Sequence, residues 1–147
     1  MSSGRAGITR LAAKERRELD RLRCELAACE AALAELDDHA AQAELASRTE
    51  LAVAAADPGL GRALTPYLAQ LLVRGAQDVA CRRAMEGRCG ALRRQALEQM
   101  TEVRRLEILL ERAERRHRQA RVRRQALQLE EHVVLVHGHG RTGAGGD

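Results

Sequence analysis

Aromatic side chains are almost absent from this chain: they make up 1% of its 147 residues, there is no Phe and no Trp, and Tyr67 stands alone. Without such large apolar groups a thick globular core is excluded, and so are the stacking platforms on which single-stranded nucleic acids are held. Proline is confined to Pro58 and Pro66, so little interrupts a helix between them and the ends. Lysine is represented only by Lys14, which leaves arginine to carry the positive charge. No apolar run approaches the roughly 20 residues of a membrane span, and the opening MSSGRAGITR lacks the apolar stretch of a signal peptide. No β-branched alternating stretch of strand length occurs either. Cys24, Cys29, Cys81 and Cys89 fit neither a CxxC pair nor a zinc finger, and they read as small apolar residues in a reducing compartment.

What remains is Ala, Leu, Arg and Glu, the composition of long helices and coiled coils. Net charge is +4 and the isoelectric point about 9.3. Acidic residues are nevertheless interspersed with the basic ones along most of the chain, which favours a mixed surface over a phosphate-binding stripe.

Heptads are clean in the first third. Leu19, Leu22, Leu26, Cys29, Leu33, Leu36, Ala40 and Ala43 alternate at spacings of 3 and 4, and Ile8, Ala12 and Glu15 extend the frame backwards. After Ala43 the register drifts to Leu45, Leu51 and Ala54. The helix is expected to open at Ile8 or Thr9, with Thr9 as N-cap, and to end near Ala56. Asp57-Pro58-Gly59-Leu60-Gly61 breaks it, and Thr65-Pro66 reads as N-cap and first position of a second helix. Leu64, Leu68, Leu71, Leu72, Gly75 and Val79 give that helix a weaker apolar face. Gly87 and Gly90 leave two architectures: a second helix running through to Val136, or a break and a three-helix bundle. The first is preferred, because isolated glycines without Pro, Asn or Asp beside them do not make a turn.

The most regular stretch of all is 102–132. Val103, Leu106, Leu110, Ala113, His117, Ala120 and Leu127 lie on one edge, interrupted at Arg124, and Glu111 with Arg115 and Glu114 with Arg118 are placed as i,i+4 ion pairs. The expected fold is therefore all-α: a long two-helix antiparallel coiled-coil hairpin over 8–136, turning near 57–65. A flexible lead over 1–7 and a disordered glycine-rich tail over 137–147 complete it. A reversal near Gly61 sets Ile8 opposite 112–115 and leaves an overhang of about 20 residues, or about 30 Å.

Catalytic residues, metals and cofactors are not expected. No nucleophile motif, P-loop or dinucleotide fingerprint is present. His132, His137 and His139 lack fixed geometry and a carboxylate or Cys at ligand spacing, and His117 on the seam is a core or interface histidine.

Leu106, Leu110, Glu111 and Arg112, then Arg115, Arg116, Arg123, Arg124 and Gln125, and finally Leu129-Glu130-Glu131, form a leucine-spaced helix with an Arg-rich stretch and an acidic end. This pattern resembles the FliJ and YscO type of protein from bacterial flagellar and virulence type III export machines. The mid-chain turn followed by Tyr67, Leu68, Gln70 and Leu71 resembles that family's tip. Glu130 stands where the family usually has Asp, and the tip is poorer in aromatics than is usual there. The resemblance implies a cytoplasmic stalk and escort subunit, peripheral at the inner-membrane export apparatus. It would bind the hexameric export ATPase through Arg104, Leu106, Leu110, Arg112, Arg116, Arg123 and Leu127, and the export-gate membrane protein or substrate chaperones through Tyr67, Leu68 and Leu71. The residues by themselves also fit a generic coiled-coil adaptor or homodimer, or a basic helix on nucleic acid whose affinity falls steeply with salt.

Overall fold

The computed structural model describes the backbone of residues 2–140 and the side chains of 4–138. Helix α1 runs Ser2–Ala56, a single 3-10 turn covers Pro58–Leu60, and helix α2 runs Gly61–Gly140. No strand occurs among the described residues. The chain is a two-helix antiparallel hairpin that divides into two compact units, one of Glu15–Thr101 and one of Met1–Lys14 with Glu102–Asp147. The expected tail beyond Gly140 lies outside the described residues.

The reversal is built from local chemistry. Asp57 is extended, at φ −115° and ψ 107°, and its carboxylate accepts from the Gly59 amide at 2.9 Å, while the Leu60 amide bonds the Asp57 carbonyl at 3.2 Å. Pro58 occupies the first position of the short turn, where its missing N–H costs nothing. α1 ends at Ala56 as its sequence implies. Two helix starts differ from expectation. α1 is already helical at Ser2, and Thr9 caps nothing: its hydroxyl donates back to the Arg5 carbonyl at 2.9 Å. α2 begins at Gly61, so Pro66 lies inside it and removes one backbone bond near its start.

In the Glu15–Thr101 unit, pairs across the two helices climb one as they descend the other. The Gln99 amide donates to the Glu15 carbonyl at 3.2 Å, Arg93 to Glu30 at 2.7 Å, and Arg82 pairs with Asp37 at 3.0 Å. Nearest the turn, the Tyr67 hydroxyl meets the Glu50 carboxylate. Between them lies a thin core. Leu22, Cys29, Cys89 and Leu92 are buried together, with Leu26, Met85 and Ala96 packed against them, and Leu19 is also buried. On α1 these are the expected heptad residues. On α2 they are Met85, Cys89, Leu92, Ala96 and Gln99, a run at alternating 4 and 3 spacing that passes through both glycines without a break. The continuous second helix is thus the observed one, and no described glycine has positive φ.

Gly87 lies off this seam, exposed, and an added Cβ would meet nothing within 4 Å. Because Gly inside a helix costs about 0.5–1 kcal/mol relative to Ala, Gly87→Ala is expected to stabilise the protein by roughly that amount. Urea unfolding monitored by helical circular dichroism checks it, and a loss of stability would mean that the helix bends there.

Nearer the turn the core lapses. Every residue over 38–46 and over 72–84 is exposed, including Ala40 and Ala43, which the heptads place inside. The reason is on α2. Tracing its seam back from Met85 at spacings of 3 and 4 meets Arg82, Asp78 and Gly75, none of which can bury an apolar side chain opposite α1's small alanines.

The other unit pairs the start of α1 with 102–120 of α2. Ala12 and Val103 are buried, Ile8, Leu106, Leu110 and Ala113 are half-buried, and Arg5 meets Glu114 at 3.1 Å. That last contact replaces the expected Glu114 to Arg118 pair, because a carboxylate already held by the facing segment is not free for its own helix. Glu111 and Arg115 do not pair either. His117, expected on a covered seam, is exposed, and from Arg121 to Gly138 every side chain is exposed.

Candidate protein-binding surface

The C-terminal end of α2, which its own chain leaves uncovered, carries two distinct features. The first is charge. Arg112, Arg115, Arg116, Arg118, Arg121, Arg123 and Arg124 are all exposed, and none makes an ion pair among the described residues. Several arginines elsewhere have carboxylate partners. Arg21 is held between Glu18 and Glu25, and its hydrogen bond to Glu18, then the charges of Glu18 and Glu25, push its pKa above the usual value. The Glu30 carboxylate does the same for Arg93. Arg104 and Arg105 pair with Glu107 and Glu102.

The second feature is apolar. Val122, Ala126, Leu129, Val133 and Val136 follow one another at spacings of 4, 3, 4 and 3, and the four larger ones are 54–67% exposed. This stripe is offset from the Val103 seam, whose frame runs on through Arg124 to Leu127. Leu127 itself is 58% exposed. A strip that narrow is the width of a coiled-coil edge, suited to one helix rather than to a lipid surface. No helix among the described residues is long and apolar enough to cross a membrane.

The expected ATPase-binding residues therefore separate. Arg112, Arg116, Arg123 and Leu127 are open to a partner. Leu106 and Leu110 are half-buried on the face of Val103, and Arg104 is engaged by Glu107 at 3.4 Å. In the other unit, Tyr67 is not the exposed anchor expected of it. It is half-buried beside Ala54, Leu60 and Leu64 around a depression of about 220 Å³, with its hydroxyl engaged by Glu50. Leu71 is half-buried and Leu68 is 38% exposed. Leu71 also borders an open groove of about 620 Å³ formed with Leu72, Gly75, Ala76, Val79 and Arg83, where the seam of α2 lapses.

No family model, no curated protein and no solved structure matches the chain. Among the described residues no group of three or more His, Cys, Asp or Glu is placed to hold a metal. His132 and His137 are exposed, the latter with its Nδ1 at 3.2 Å from the Val133 carbonyl, and the side chain of His139 lies outside the described residues.

Proposed function

We propose that this chain is a non-enzymatic protein-binding subunit of a type III export machine, a stalk or escort that engages the hexameric export ATPase with residues 112–136 of α2. One observation carries the reading: this segment is helical, contributes little to its own chain's packing, and combines unpaired arginines with a free one-helix apolar strip. A surface of that kind fits an acidic helical partner, since guanidinium groups form paired, charge-assisted bonds with carboxylates while the strip supplies the desolvated contact. The resemblance of the Leu106 to Glu131 pattern to FliJ-type proteins supplies the identity of the partner. On the same reading Leu68, Leu71 and the neighbouring groove are the surface for the export gate or for substrate chaperones, with Tyr67 positioning the turn rather than reaching out. The site of action is cytoplasmic, at the inner-membrane export apparatus.

Truncation after Ala120 tests this directly. It removes only side chains that are exposed where described, so helical content per residue and thermal stability are expected to hold, while capture of a type III export ATPase is lost. Undiminished capture by the truncated chain would sink the assignment.

The same strip also fits a second copy of this chain, which would make the protein a coiled-coil adaptor or homodimer. Sedimentation of the full and truncated chains separates the two: a dimer that becomes a monomer on truncation supports the adaptor.

A further inference from the structure

Three sulfur atoms converge in the core of the Glu15–Thr101 unit. Cys29 Sγ lies 3.5 Å from Met85 Sδ on the facing helix. Cys89 is one turn beyond Met85 on that same face and is buried in the same cluster as Cys29. Cys29 and Cys89 are both buried, 6% and 2% exposed, and neither is in a disulfide. Leu22 and Leu92 close the cluster on one side. On the other, Met85 is only half-buried and borders the exposed stretch 72–84, which leaves a way in for an ion.

The geometry points to a site for a soft monovalent cation, Cu(I), held by Cys29, Cys89 and Met85. Two thiolates and a thioether are the donor set that selects Cu(I). Zinc is disfavoured because it wants four ligands from Cys, His or carboxylate, and among the described residues no third such group joins the two cysteines. On binding, each thiol releases its proton to solvent and its sulfur donates to the ion, while the thioether donates without proton loss. Two protons leave and the site carries one net negative charge. The ion would tie the two helices together at the middle of their core.

The test uses the full chain with the exposed Cys24 and Cys81 replaced by Ser, so that only the buried thiols remain. Anaerobic titration with the Cu(I) acetonitrile complex, against a chromophoric Cu(I) chelator, is expected to show one ion per chain and a rise in melting temperature. Cys29→Ala and Cys89→Ala should each abolish stoichiometric binding. Met85→Leu, which keeps the volume and therefore the fold, should weaken binding by about tenfold. Failure to hold Cu(I) against the chelator, or binding that survives loss of both cysteines, would overturn the site.

Discussion

Leu22→Ala is expected to cost about 2–4 kcal/mol of unfolding free energy, and Leu92→Ala about as much. Leu22 is 5% exposed and Leu92 7%, and both belong to the same small cluster. Since a domain of this size is commonly stable by only about 5–15 kcal/mol, either substitution removes a sizeable share of what the Glu15–Thr101 unit has. The thin core makes the contrast with other leucines sharp. Leu72 is 76% exposed and Leu127 58%, so Leu72→Ala and Leu127→Ala should each move stability by less than about 0.5 kcal/mol. Urea unfolding of the four variants checks the whole set. Equal losses at Leu22 and Leu72 would mean that α1 and α2 pack on a different face.

The second large effect is on binding. Reversing Arg116, Arg123 and Arg124 to Glu removes attraction and adds repulsion at three exposed positions. At roughly 1 kcal/mol for each reversed contact, the triple variant should bind the export ATPase about a hundredfold more weakly, with a shallower dependence on salt. Its own stability should scarcely change, because none of the three arginines makes an ion pair among the described residues. Arg93→Glu makes the instructive comparison. It places a second carboxylate beside Glu30 and should destabilise the Glu15–Thr101 unit while leaving ATPase affinity alone. Titration calorimetry at two salt concentrations distinguishes these outcomes from a general loss of folding.

Much of the architecture was legible in the residues. The α1 heptads from Ala12 to Leu36 are the covered positions, Asp57 and Pro58 end the helix where their chemistry says, and α2 runs through Gly87 and Gly90. What escaped was information that depends on the facing helix. Met85, Cys89, Leu92, Ala96 and Gln99 form as regular a seam as α1's, but a thiol, a thioether, an alanine and an amide are weak hydrophobic markers until Leu22 and Cys29 stand opposite them. Glu114 looked like a partner for Arg118 because i,i+4 spacing is visible in one dimension and Arg5 is not. Pro66 after Thr65 matched a helix start closely, yet α2 begins at Gly61, since a proline near the first turn removes too little to stop a helix already nucleated by the Asp57 turn. The offset strip from Val122 to Val136 had its full signal in the sequence and was masked by continuing the older frame past Arg124.

Whether 112–136 is the binding element is most directly measured by amide hydrogen exchange of the full chain, alone and saturated with the export ATPase. Slowed exchange concentrated over 112–136, with the core amides around Leu22 and Leu92 unchanged, is the predicted result. Protection that appears instead along 38–46 and 72–84, with 112–136 exchanging as in the free chain, would contradict the account.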